Sequence, residues 1–286
     1  MAEKVIFHVD ANSAFLSWTA AYKVKVLGET EDLRDVPSVV AGDKESRHSI
    51  ILAKSGPAKK YGIQTGEPLF QALEKCPQLK VVQPDYALYV EASRHFVDML
   101  RQFSPVVQQY SIDEAWVDMT GTERLWGTPR VAAEKMRQRI NDELGFTVNI
   151  GISSNKLLAK MAGDFEKPNK VHTLFPKEME TKFWPLPVRD LFLVGAATER
   201  KLKLLGIYTI GDLAKADINI LKKRLGKHGE TIWHFANGRN AEAVVLVPAE
   251  NKGYGNSVTT PRDVVTKENA YQVLLSLCET VAMRIR

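Results

Sequence analysis

The first apolar run of the chain, Val5-Ile6-Phe7-His8-Val9, stops directly on Asp10. Its β-branched and aromatic residues predict a buried strand. A helical pattern follows, containing Phe15, Leu16, Trp18, Ala20 and Tyr22, with Asn12 or Ser13 available as its N-cap. From about Gly28 to Gln83 the pattern is mixed. It shows strand-like runs at Ser38–Ala41 and Ser49–Ala53, then a helix broken at Gly62 and Gly66. A long helix is predicted from about Tyr86 to Phe103, stopped by Ser104-Pro105. Two short β-like runs then flank an acidic joint, with Val106, Val107 and Tyr110 before it and Ala115, Trp116, Val117 and Met119 after it. Thr128-Pro129 opens a further helix; Ala132, Met136, Ile140 and Leu144 share one face of it, and Gly145 closes it. Phe146 to Ile152 reads as a strand, and Ser153 or Ser154 caps a helix reaching about Phe165.

Up to about residue 174 this order predicts an α+β fold, a mostly antiparallel sheet with helices on one face. The segment 14–83 is inserted after the first strand, so Asp10 can lie beside the acidic joint although about a hundred residues separate them. Beyond Pro176 the texture changes to short helices with glycine-containing joints. The polar stretch Ala249-Glu250-Asn251-Lys252-Gly253 looks like a linker, followed by one strand (Gly255 to Thr260) and one helix (Lys267 to Arg286). There are no internal repeats or low-complexity tracts.

Length and composition narrow the class. A chain of 286 residues with 44% hydrophobic content suits a globular protein of two or more domains. No apolar run approaches the ~18 residues of a membrane span, and no basic-then-apolar signal pattern opens the chain. Cys76 and Cys278 are isolated, without metal spacing, which fits reduced thiols and a cytoplasmic location. The formal charge of +5 is regional: residues 176–240 hold 12 Lys/Arg against 7 Asp/Glu, and the rest is balanced. A basic segment of this kind points to a polyanionic partner.

The acidic joint Tyr110-Ser111-Ile112-Asp113-Glu114-Ala115 carries the candidate chemistry. Adjacent carboxylates at a strand junction serve either as a solvated turn or as a seat for a divalent metal. Asp10, at the end of the first strand, favours the metal. Three carboxylates on neighbouring strand ends are what a two-metal phosphoryl-transfer site requires, with metals roughly 3.5–4 Å apart.

Four stretches in order resemble a known family: Val9-Asp10-Ala11-Asn12-Ser13-Ala14-Phe15, the acidic joint, Gly151-Ile152-Ser153-Ser154-Asn155-Lys156-Leu157-Leu158-Ala159-Lys160, and Lys167-Pro168-Asn169. Together they resemble the Y-family, translesion DNA polymerases, nearest the bacterial polymerase IV and polymerase V branches. The resemblance implies a right-hand polymerase fold: palm at 1–13 and 84–174, small fingers at 14–83, a helix–hairpin–helix thumb at 175–240, a linker at 241–252 and a partial little finger at 253–286. It implies Asp10, Asp113 and Glu114 as catalytic metal ligands, with the Ala11 carbonyl as a further oxygen. Hard oxygen ligands without His or Cys suit Mg²⁺, here two ions. Nucleotide contacts are implied for Asn12, Ser13, Ala14, Phe15, Lys59 and Lys167.

Phe15 has two readings, a core aromatic on a helix face or a steric gate that leaves no room for a ribose 2′-hydroxyl. The family's Tyr-x-x-Arg element reads Gly56-Pro57-Ala58-Lys59 here, so the tyrosine is missing and a point charge replaces a bidentate fork. Lys54 or Ser55 could compensate. Asp164 forms a local ion pair with Lys167, one helical turn on; Lys160 contacts either phosphate or solvent. In the basic segment Val194, Gly195, Thr198 and Lys201 resemble a helix–hairpin–helix, in which backbone N–H groups cradle a DNA phosphate. Leu193 stands at the hairpin's first glycine position, and Lys227 and His228 belong to a companion joint.

The resulting expectation is a low-fidelity, template-directed DNA polymerase acting on primer–template DNA and deoxynucleoside triphosphates, with the sliding clamp as a further partner. The rival readings are a non-catalytic DNA-binding recruitment protein that retains the fold and a palm-type nucleotidyl cyclase, which leaves the basic thumb without a purpose. Only 34 residues follow Lys252, enough for one strand and one helix. A shortened little finger with few phosphate contacts implies weak, salt-sensitive DNA binding and distributive synthesis.

Overall fold

Strand β1 (Ile6–Ala11) is buried along its whole length and is hydrogen-bonded on both sides. The computed structural model describes residues 4–43, 49–246 and 251–286. The chain divides into two compact units, Met1–Leu246 and Val247–Arg286.

After β1 come α1 (Ala14–Lys25), β2 (Ser38–Ala41), β3 (Ile51–Lys54), α2 (Gly56–Lys59), α3 (Leu69–Lys75), β4 (Lys80–Val82) and α4 (Tyr86–Arg101). The acidic joint lies between β5 (Val107–Gln109) and β6 (Glu114–Asp118). They are followed by α5 (Glu123–Trp126), α6 (Pro129–Arg139) with a π turn after it, β7 (Val148–Ser153), α7 (Lys156–Gly163) and β8 (Val171–Thr173). The short helices α8 (Met179–Lys182), α9 (Ala196–Lys203), α10 (Ile210–Lys215), α11 (Ile218–Leu225) and α12 (Lys227–Ala236) complete the first unit.

The main sheet has the order β5-β6-β1-β7-β8, antiparallel except for the parallel β7–β8 pair. Alternation along β1 sends Phe7, Val9 and Ala11 into the large core with Phe96 and Leu100 of α4, Ala132 and Met136 of α6, and Leu16 and Trp18 of α1. Ile6, His8 and Asp10 face the other way, where α7 packs on β7 and β1. Helices therefore cover both faces, which corrects the one-sided layer expected from the sequence. The cause is Gly151: a Cβ there would lie 1.9 Å from the Ala159 carbonyl oxygen and 2.4 Å from the Gly163 nitrogen, so the bare backbone admits α7.

A second, three-stranded sheet, β3-β2-β4, has its own small core of Val39, Ala41, Ile51, Ile63, Leu69 and Cys76. The short helices α8 to α12 close over Phe183, Val188, Leu202, Ile210, Leu213 and Ile232, together with Leu158 of α7.

Several local expectations change. Asn155, not Ser153 or Ser154, caps α7, its side chain accepting from the Leu158 N–H at 2.9 Å; the Ser153 hydroxyl is spent on the Leu174 carbonyl. Ser13 holds the N-cap position of α1 at φ 49° without a side-chain cap bond. In the second unit the helix is present as α13 (Lys267–Ile285), capped by Thr266. The strand expected at Gly255–Thr260 does not form. Of the expected linker, residues 247–250 lie outside the described residues. Among the described residues no helix is long and apolar enough to cross a membrane.

The Gly151 contact gives a direct test. Gly151→Ala should destabilise the protein by at least about 3 kcal/mol, because the obstacle is backbone and cannot rotate away. The midpoint of chemical denaturation reads this out.

Candidate functional site

The register of β1 places Asp10 opposite Glu114 on one side and Asn149 on the other. The Ala11 N–H donates to the Asp113 carbonyl at 3.0 Å, so all three acidic positions share one rim of the sheet. Their backbones are neighbours, yet each carboxylate is turned to a partner in its own chain. Asp10 Oδ2 takes Lys167 Nζ, which also reaches Asp164 Oδ1 at 2.8 Å. Asp113 Oδ1 accepts from the Ser111 hydroxyl at 2.7 Å. Glu114 Oε2 accepts from Lys160 Nζ at 2.7 Å and lies 3.4 Å from His8 Nε2. Among the described residues no three His, Cys, Asp or Glu side chains converge tightly enough to hold a metal ion between them.

The electrostatics follow from these partners. Burial alone would raise Glu114, but bonds from His8 and Lys160 bring it down to about 2. Burial pushes Asp10 above its ordinary value against the pull of Lys167. Lys167 is also partly desolvated, which opposes its charge, but Asp10 and Asp164 outweigh this and hold it protonated. Each carboxylate uses one oxygen in these contacts and keeps a second to offer. A set of hard oxygens at one rim, with Ala11 beside them, fits a hard divalent cation.

Asp10, Asp113 and Lys167 open onto a cavity of about 490 Å³ whose walls also include Ala11, Asn12, Ser13, Ala14 and Phe15. Lys59 stands on the opposite wall, brought there by β3 and α2 of the small sheet, together with Lys54 and Gly56. Glu114 is not on the cavity wall. Phe15 stacks on Tyr89 (centroids 4.5 Å apart, planes at 15°) and meets Tyr86 edge-on, while still lining the cavity. The ring is packed on one side and forms cavity wall on the other.

The Asn12 side chain is committed internally. Its Nδ2 donates to Asn149 Oδ1 at 3.1 Å, and its Oδ1 accepts from the Thr147 hydroxyl and the Asn169 N–H. Asn149 in turn donates to the Gly163 and Glu166 carbonyls. This pair fastens the segment bearing Lys167 to the end of β1.

Residues around the site that the sequence reading did not assign are His8, Lys160, Asn149 and Thr65, the last on the cavity wall. Period-2 alternation from Asp10 could have found His8, which shares its face. Lys160 is not a solvated side chain. It is 8% exposed, bonds Glu114 and lies 5.6 and 5.5 Å from the ring centroids of Tyr110 and Phe192.

The helical segment brings its two joints together: Thr198 Oγ1 is 3.5 Å from His228 Nε2. Helices α9 and α12 both begin at a glycine, Gly195 and Gly226, without a side-chain cap. Lys201 and Lys227 are exposed; the Val194 side chain is buried, so only its backbone faces outward chemistry. Leu193 adopts φ 71°, the left-handed conformation expected of the glycine it replaces.

A rim of carboxylates facing lysines across a cavity, beside a basic helical segment, has the layout of a Y-family DNA polymerase. Solved structures of that class share the fold. DinB from Sulfolobus solfataricus superposes with a TM-score of 0.72 at 25% identity, over 84% of this chain and 69% of that one. A Y-family DNA polymerase chimera superposes at 0.83 and 23% identity, over 97% and 79%. Residues 9–164 match the impB/mucB/samB family, and residues 189–240 match the DNA polymerase-iota thumb domain. A DNA polymerase IV of Clostridium acetobutylicum is 49% identical over 284 residues, covering 99% of this chain and 71% of that protein. DNA polymerase IV 2 of Bacillus subtilis is 38% identical over 291 residues, covering 100% and 69%. The chain belongs to the impB/mucB/samB family of Y-family DNA polymerases.

The paired Glu114 predicts an acid response. Its folded-state pKa lies below the ordinary 4.5, so its stabilisation is complete above about pH 4.5 and is lost as pH falls towards 2. Glu114→Gln should therefore lower stability at pH 7, by up to about 3 kcal/mol, and converge with the unsubstituted protein near pH 2. Denaturant titrations at a series of pH values measure this.

Proposed function

We propose that the cavity between the main and small sheets is where a deoxynucleoside triphosphate meets a primer end, and that the chain performs template-directed DNA synthesis of low fidelity across damaged template. One observation carries the reading: Asp10, Asp113, Lys167 and Phe15 share a single cavity with Lys59 facing them. In this reading residues 1–13 and 84–174 are the palm, 14–83 the fingers and 175–240 the thumb.

Asp10, Asp113 and Glu114, with the Ala11 carbonyl, would hold two Mg²⁺ ions. Bound there, the ions would supply charge neutralisation at the phosphates and a more acidic primer hydroxyl. The protein's own part is positioning. Lys167 and Lys59 attract the triphosphate from opposite walls, and Ser13 and Ala14 bring backbone against it. The primer 3′-oxygen, giving up its proton to water, attacks the α-phosphorus; the bond from that phosphorus to the α,β-bridging oxygen breaks, and pyrophosphate leaves with that oxygen. Phe15, pinned by Tyr89, cannot retreat from the sugar, so a 2′-hydroxyl is refused by sterics.

The uncapped N-termini of α9 and α12, with Thr198, Lys201, Lys227 and His228, would grip duplex backbone without reading sequence. The family resemblance alone supports a cytoplasmic location and the sliding clamp as a partner. No observation favours a non-catalytic recruitment protein.

Two substitutions test the reading by primer extension with Mg²⁺. Asp113→Ala should cut synthesis by ~10³-fold or more, because several kcal/mol of charge stabilisation disappear, while DNA binding in a mobility-shift assay stays nearly constant. Substantial residual synthesis would remove Asp113 from the site. Phe15→Ala should relax discrimination against ribonucleotides by about tenfold or more. Unchanged sugar selectivity with lowered thermal stability would leave Phe15 as packing only.

A further inference from the structure

The cavity has an uneven charge layout. On the main-sheet wall Lys167 is neutralised by Asp10 and Asp164. On the small-sheet wall Lys54 and Lys59 both line the cavity, and neither forms an ion pair or hydrogen bond with an acid among the described residues. Other lysines nearby are paired: Lys75 reaches Glu67 at 2.6 Å, and Lys80 reaches Glu31. Lys54 is also partly sheltered, at the end of β3. Burial pulls its amine below the ordinary value, the Lys59 charge adds to this, and Glu67, itself paired with Lys75, pulls the other way. A sheltered cation whose nearest acid is already paired with another lysine, beside a second cation, favours an anion in the cavity.

Ser55, the other candidate on this wall, is already spent. Its hydroxyl donates to the Val36 carbonyl at 2.7 Å and accepts from the Ala58 and Ser38 N–H groups, both at 3.1 Å. One donor and two lone pairs are the full capacity of a hydroxyl. Gly56 offers no side chain, and its Cβ direction is open. Nothing on the backbone side therefore stands between Lys54 and a ligand in the cavity.

We infer that Lys54 is a nucleotide-binding residue, which with Lys59 holds the triphosphate of the incoming nucleotide by two point charges on the small-sheet wall. This rests on the proposed function of the cavity and adds a residue to it. Two ammonium groups lack the planar fork of a guanidinium, so the grip is electrostatic more than directional. It should therefore weaken with salt, and losing either charge should act mainly on nucleotide affinity.

The test uses the full chain with primer–template DNA. Lys54→Met should raise the KM for deoxynucleoside triphosphate by ~10-fold with kcat within about twofold, since a uniform binding contact is lost. The dissociation constant for dATP in Ca²⁺, measured calorimetrically, should rise in parallel. Lys54→Arg should stay within about threefold of the unsubstituted protein. Lys54→Met with Lys59→Arg should regain much of the loss, because the fork can take two phosphate oxygens. Lys60→Met, outside the cavity wall, should change nothing. A dATP affinity within about twofold for Lys54→Met, in a protein that melts normally, overturns the inference. If the unsubstituted chain binds dATP but extends no primer, the polymerase reading fails and the calorimetry still decides on Lys54. If it binds no dATP, both fall.

Discussion

The register of β1 between β6 and β7 is the constraint on which the rest of the molecule depends. Side chains on a strand alternate, so a slip of one residue would turn Asp10 into the large apolar core and Phe7 out of it. Phe7 and Val9 are fully buried there, among Phe96, Leu100 and Met136, which makes such a slip very costly. Hydrophobic packing on one face thus fixes the chemistry on the other. It is the reason Asp10 stands opposite Glu114 on one side and Asn149 on the other. Both packed faces are needed for this. Gly151 lets α7 approach the sheet, and α7 carries Lys160 to Glu114.

Clustering acidic groups at one rim costs free energy by mutual repulsion and desolvation, and the structure offsets it with cations from separate elements. Lys160 comes from α7 and Lys167 from the segment fastened by Asn12 and Asn149. Removing one partner of such a buried group leaves an uncompensated charge, which is worse than never having built the pair. The two walls of the cavity differ accordingly. The acid-bearing wall is balanced internally, whereas Lys54 and Lys59 form no ion pair among the described residues. A polyphosphate lying between them would meet fixed positive charge on one side and, on the other, carboxylates able to share a divalent cation with it.

Much of this was legible in the sequence where a local rule acts alone. The first strand, the helix from Tyr86, the opening of α6 at Thr128-Pro129 and the acidic joint follow from alternation, proline placement and glycine closure. What was hidden depends on tertiary partners. The three-residue strands β4 and β8 are too short to show a period and exist because β2 and β7 offer them a parallel edge. The run from Gly255 has strand-forming residues and forms no strand. Caps were misread for a related reason: serines at 153 and 154 are good N-caps in isolation, but β7 extends through Ser153 and moves the helix start to Asn155. The Asn12 side chain is also the knot between β1, β7 and the Lys167 segment, a role that needs three distant stretches to be seen together.

Leu193 shows how far packing can overrule local preference. A leucine in the left-handed region costs roughly 1–2 kcal/mol relative to its ordinary conformations, and glycine would be free of that cost. The turn keeps its path because the residues on either side are held: Leu191 and Val194 are buried in the core of the helical segment with Leu202 and Ile232. The side chain at 193 is left half exposed, so the strain is confined to one residue and no apolar contact in that core is sacrificed. The consequence reaches the surface. With the turn intact, α9 starts at Gly195 with its first N–H groups uncapped by any side chain, and α12 does the same at Gly226, with Thr198 and His228 between them. A glycine at the predicted position is thus not required to present the backbone donors; a core that fixes both flanks of the turn is enough.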